Sequence, residues 1–157
     1  MDSSMELCGM WWGGRHTSPL NLAGALCAGL RGSRCRVFTS DVEVVSIQTG
    51  ESAYPDVVVT YQPVQPAEDR ITKPALIAEV LSRSTADYDR GAKFEMYKAF
   101  PMLLYYLYTF SRPATGGPLP AHNTRLELIH LGGDAAIDLA EIGCTIGLDA
   151  IYADAGC

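Results

Sequence analysis

The chain has 157 residues and is 48% hydrophobic, enough for one domain with a real core and too apolar for a disordered segment. No run of about eighteen apolar residues occurs, so no membrane-spanning helix is expected. The net charge of −6 is uneven: residues 1–125 hold twelve basic and twelve acidic side chains, and residues 126–157 add six acids with no Lys or Arg. A chain that binds nucleic acid through charge alone is normally basic, so this balance argues against strong nonspecific binding. A local basic cluster stands at Arg31, Arg34 and Arg36, which solvated loop charges would also explain. The five cysteines, Cys8, Cys27, Cys35, Cys144 and Cys157, are odd in number and lack CxxC spacing. They read as free thiols of a reducing cytoplasm rather than a disulfide frame or a zinc site. The N-terminus shows no basic region followed by an apolar stretch, so no secretory signal is expected.

In chain order, residues 17–30 place Leu20, Ala23, Leu26, Cys27 and Leu30 at helical spacing, with Thr17 or Ser18 and Pro19 as the start. Gly24 and Gly29 weaken that helix. "CRVFTSDVEVVSI" is rich in β-branched residues and reads as one strand or two. "QTGES" turns the chain, and "PDVVVTY" is the next strand, with Asp56 near its start. A loop with Pro63, Pro66, Glu68, Asp69 and Arg70 leads to an apolar strand, Ala75–Leu81. Ser84 or Thr85 can cap a helix over roughly 86–99, which ends before Pro101. "MLLYYLYTF" is a third buried strand, "SRPATGGPLP" a loop, and "RLELIHL" an edge strand or hairpin; the tail is weakly patterned. The order suggests an α/β or α+β sheet with few helices.

Glu79 breaks the apolar pattern of its strand. A buried carboxylate needs a partner, so its neighbours matter. Asp56 begins the preceding strand behind Pro55, and Lys93 lies on the following helix. Two carboxylates on neighbouring strands can hold a hard cation such as Mg²⁺, which prefers oxygen ligands and keeps several waters. A lysine aimed at the same point could stabilise charge developing on a phosphate. Plainer readings stand beside this one. Asp56 could mark a turn, Glu79 and Lys93 could form an ion pair, and Asp89 could pair with Lys93 at i, i+4. His16 could line a cleft or serve as a cap or core residue. His122 and His130 stand alone, and the Gly116-Gly117 and Gly132-Gly133 pairs lack phosphate-loop spacing. Tyr105, Tyr106 and Tyr108 could stack bases, but within an apolar strand they read as core or interface.

The strings "YPDVVV" and "EVLSRSTADYDRGAKFEMYKAFP", with His16 and "CRVFTSDVEV" before them, resemble the Uma-two family of restriction-endonuclease-like proteins. The similarity runs from about Arg15 to Tyr152. It implies the α/β PD-(D/E)XK nuclease fold, a mixed central sheet flanked by helices, over one domain spanning residues 1–157. It implies a metal-dependent endonuclease acting on DNA phosphodiesters, with Asp56 and Glu79 as ligands of Mg²⁺ or Mn²⁺ and Asp56, Glu79 and Lys93 as the catalytic set. His16, Asp41 and Asp89 become cleft candidates, and a homodimer is compatible by analogy.

The chain departs from that pattern in several places. The usual motif has a lysine two residues after the glutamate, where this chain has Leu81; the resemblance implies that Lys93 takes over from the helix. Tyr105 stands where a glutamate is usual. The short segment after "ELCG" leaves Glu6 and Asp41 as candidates for a third acid. These departures, with the acidic tail, support an alternative: a weakly active or inactive nuclease-fold module that works in binding or assembly.

Overall fold

The computed structural model describes residues 18–63, 70–81, 86–110, 127–130 and 136–151. Helix α1 (Pro19–Gly29) starts where the sequence places it: Ser18 is the N-cap, its hydroxyl accepting from the Asn21 amide at 3.1 Å, and Pro19 occupies the first turn. The β-branched stretch after it is two strands, β1 (Arg36–Thr39) and β2 (Glu43–Val45), separated by a turn at Ser40-Asp41. They belong to different sheets. β3 (Ser52–Ala53) returns beside β2, and the described chain then continues through β4 (Val57–Thr60), β5 (Arg70–Ile71) and β6 (Pro74–Leu81). Helix α2 (Ala86–Tyr97) leads to β7 (Tyr105–Phe110), followed by β8 (Glu127–His130). A hairpin of β9 (Ile137–Leu139) and β10 (Cys144–Ile146) and the short helix α3 (Leu148–Ile151) complete the described chain.

The main sheet has the order β1-β4-β6-β7-β8. β1 and β6 run antiparallel to β4, whereas β7 runs parallel to β6 and β8 parallel to β7. The sheet is therefore mixed, in accord with a restriction-endonuclease-like fold. Residues 127–130 of "RLELIHL" form a parallel strand at the end of the described sheet, the edge-strand alternative of the sequence reading. A second sheet, β3-β2-β5, is joined by the Arg70–Glu43 ion pair at 2.9 Å.

Alternation along the strands sorts the core onto the two faces of the sheet. Val57 and Val59, Leu76 and Ala78, and Tyr105 and Leu107 face one way, against Leu22 and Leu26 of α1, Ile151 of α3 and the β9–β10 hairpin. Burying each such leucine contributes about 1.5–3 kcal/mol. Gly29 allows α1 to close on this hairpin, because a Cβ there would run into Cys144 Sγ. Val58, Ile77 and Tyr106 face the other way, against Val44, Ile71, Tyr97, Phe100 and Leu103. The three strand tyrosines are core residues: Tyr105, Tyr106 and Tyr108 are all buried.

Two boundaries differ from expectation. α2 ends at Tyr97, because Ala99 and Phe100 bond three residues back, to Met96 and Tyr97, and tighten the last turn before Pro101. The next strand begins at Tyr105, since Leu103 bonds back to Phe100 within that turn. His16, the cap candidates Ser84 and Thr85, Pro66, Glu68, Asp69, the segment 112–125 and the last residues of the tail lie outside the described residues.

Candidate active site

Asp56 stands one residue before β4, half-buried behind the buried Pro55. The β4–β6 ladder ends with Val57 opposite Ala78. Beyond it the Asp56 carboxylate takes the place of a ladder carbonyl: its Oδ2 accepts from the Val80 N–H at 2.7 Å. A charged acceptor at that distance makes a strong bond. It fixes Asp56 beside the backbone of the residue that follows Glu79.

Glu79 lies on β6, between β4 and β7, opposite Tyr108. Ala78 faces α1, so alternation turns Glu79 to the other face, toward α2. The residue is only 2% exposed. Two side chains from α2, one helical turn apart, meet its Oε1: Tyr97 donates its hydroxyl at 2.6 Å, and Lys93 donates its ammonium at 3.2 Å. Burial pushes the Glu79 carboxyl above its ordinary range; the Tyr97 hydroxyl and the Lys93 ammonium pull it back, and the Asp56 charge pushes it up again. The net direction is up. Tyr97 is held far above the usual phenol value by burial first and by the Glu79 charge second.

The pair offers hard oxygen donors only, and each carboxylate feels the other's charge. That donor set fits a hard divalent cation, which would relieve the mutual repulsion. Among the described residues, no group of three His, Cys, Asp or Glu side chains is gathered around a common point. Asp41 is exposed in the turn after β1, and no described contact joins it to the pair. Asp89 belongs to α2, but its side chain, like the whole of Glu6 and His16, lies outside what is described. Tyr105, at the position where a glutamate was expected, faces α1 and accepts from the Glu141 amide at 3.1 Å, so it takes no part in the pair.

Sequence reasoning left Tyr97 out of the site. The available signal was its spacing: Lys93 and Tyr97 are i, i+4 on one helix, so a helix that aims one at Glu79 aims the other there as well.

The family model of Uma2, described as "Putative restriction endonuclease", matches residues 13–142. The chain is 32% identical over 145 residues to the uncharacterized protein slr1290 of Synechocystis sp., covering 85% of this chain and 71% of that protein. It is 33% identical over 90 residues to the uncharacterized protein sll1609 of the same organism, covering 55% of this chain and 51% of that one. No solved structure matches the chain. The chain belongs to the Uma2 family and through it to the restriction endonuclease-like superfamily.

Proposed function

We propose that this member of the Uma2 family is a metal-dependent endonuclease that hydrolyses DNA phosphodiester bonds. Asp56 and Glu79 would hold Mg²⁺ or Mn²⁺, and Lys93 would act on the phosphate. The observation that carries the reading is the anchored carboxylate pair, with the ammonium of a partly exposed lysine 3.2 Å from one member of it. Folds of this superfamily usually work with divalent metals. A divalent ion held by the pair would supply Lewis-acid polarisation of the phosphate and an acidified water. The protein's own contributions are separable. Asp56 and Glu79 bind and orient through oxygens fixed by β4, β6 and α2. Lys93 neutralises charge developing on the phosphate. We extend the proposal to one restriction-endonuclease-like domain over residues 1–157.

Nicking of supercoiled plasmid in Mg²⁺ or Mn²⁺, set beside linear and single-stranded DNA, tests the reading. Wild-type protein should nick, and Asp56→Ala and Glu79→Ala should not. Wild type inactive on all three with both metals would refute it. The net charge of −6 favours a second reading, an inactive nuclease-fold module acting in binding or assembly; such a module gives no nicking in either metal.

A further inference from the structure

We infer that Tyr97, and not Lys93, is the residue that holds Glu79 in position, which leaves the lysine able to turn to substrate. The inference rests on the metal-dependent reading of the same carboxylate pair. Three observations support it. The first is distance: the Tyr97 hydroxyl lies 2.6 Å from Glu79 Oε1 and the Lys93 ammonium 3.2 Å from it, so the tyrosine makes the tighter bond. The second is rigidity. Tyr97 is fully buried, and its ring is packed edge-on against Tyr106 at 5.3 Å and tilted against Phe100 at 6.4 Å. A tyrosine held on two sides has little freedom left, so its hydroxyl is a fixed post. The Lys93 side chain keeps 32% of its surface in solvent and has a long flexible stem. The third is acceptor capacity. A carboxylate oxygen has about two lone-pair directions, and Oε1 already receives both donors. While both donors sit on Oε1, a cation meets Glu79 through Oε2. Tyr97 stays on Oε1 when Lys93 leaves and so biases the metal toward Oε2, and it is a positioning residue because it is buried away from any substrate.

A division of labour follows. If Lys93 were the group fixing Glu79, it could not leave for a phosphate without loosening the ligand. With Tyr97 as the post, Lys93 can exchange partners while Glu79 stays in place.

The test is Mn²⁺ binding measured by titration calorimetry on the full chain without DNA, for wild type, Tyr97→Phe and Lys93→Met, with a thermal melt of each. Loss of a residue that orients a metal ligand typically weakens metal affinity about 10–100-fold, so Tyr97→Phe should bind Mn²⁺ weaker by that factor while remaining folded. Lys93→Met should keep wild-type affinity or exceed it, because a cation beside the site has been removed. Unchanged affinity in a folded Tyr97→Phe protein overturns the inference but not the metal reading. Weakened binding in Lys93→Met overturns it as well, and that arm stands even if Tyr97→Phe does not fold. Wild-type protein that binds no Mn²⁺ removes the metal reading itself and the inference with it.

Discussion

Glu79→Ala and Glu79→Gln separate the two roles that the Glu79 side chain plays, as acceptor and as charge. Alanine removes the acceptor of the Tyr97 hydroxyl, and Tyr97 is fully buried, so water cannot replace it. A buried donor left unsatisfied costs about 1–3 kcal/mol. Lys93 contributes little to this cost, because a third of its side chain is exposed and its ammonium can turn to solvent. For a chain of this length each kcal/mol lowers Tm by about 2–4 °C, so Glu79→Ala should melt roughly 2–12 °C below wild type. Glutamine keeps an oxygen for Tyr97 and removes the buried charge, so it should match or exceed wild type at pH 8. The pH dependence has a definite sign. The folded protein holds the Glu79 proton more tightly than the unfolded chain, whose ordinary value is 4.5. Its contribution to stability is complete below that value and is lost as pH rises through the folded one. The advantage of Glu79→Gln over wild type should therefore be present at pH 8 and shrink toward pH 4. Thermal melts of the three proteins at both pH values read this out. Alanine as stable as glutamine would refute the acceptor argument. Glutamine falling together with alanine would show that the ion pair to Lys93, and not the Tyr97 bond, is what the fold depends on.

Asp56→Asn should fold normally, since its amide oxygen can still accept from Val80, while Mg²⁺-dependent nicking is lost; Asp56→Ala should also melt lower, because the Val80 N–H loses its acceptor, at about 1–3 kcal/mol. Lys93→Met should lower nicking by about 10²–10³-fold, the loss typical of removing one donor to developing charge, with Tm little changed. Gly29→Ala should destabilise by about 1–3 kcal/mol through its collision with Cys144 Sγ, and Cys144→Ala in the same chain should restore much of the lost Tm. Cys144, whose thiol burial pushes up, should react with an aromatic disulfide reagent far more slowly than exposed Cys27, as peptide mapping of the labelled protein would show.

The strands with strong apolar runs were legible because their residues are buried on both faces: "VVV" at 57–59 and "ALIA" at 75–78 supply both cores. α1 was legible from its start, where Ser18 and Pro19 leave little choice. Two-residue strands were not. Ser52 falls within what reads as a turn, and Arg70 within a loop, because so short a strand carries no periodicity and exists only through its partner. The β9–β10 hairpin was missed for a related reason: its first strand, Ile137–Leu139, has only one polar residue between two apolar ones to mark alternation. In the candidate site, Glu79 was visible as a carboxylate in an apolar strand, whereas Asp56 and Lys93 stood out only by their places on the neighbouring elements and took their roles from the resemblance. Tyr97 was not, because an aromatic residue on a helix face suits a core and nothing local marks its hydroxyl as a partner for a carboxylate.

Charge placement bears on how such a site could meet a polyanion. Arg36 pairs with Thr60, whereas Thr39 pairs with Val57, next to Asp56. The basic end of β1 is therefore four residues, about 14 Å along the strand, from the level of the carboxylate pair, at about 3.4 Å per residue. Arg31 and Arg34 precede it in the chain, and no described contact joins any of the three arginines to the pair. The cluster visible in the sequence thus does not line the pair, and Lys93 is the described basic side chain that bonds to it. Among the described residues, one ammonium stands beside two carboxylates, a negative balance, and a phosphodiester brings another negative charge. On the proposed reading, a divalent cation would make the encounter tolerable as well as assist the chemistry, because the described charges at this point repel a phosphodiester. A swinging lysine matters for the same electrostatic reason. On that reading, held on Glu79 it lowers the repulsion within the pair, and released it would meet the phosphate once a metal had taken over that task.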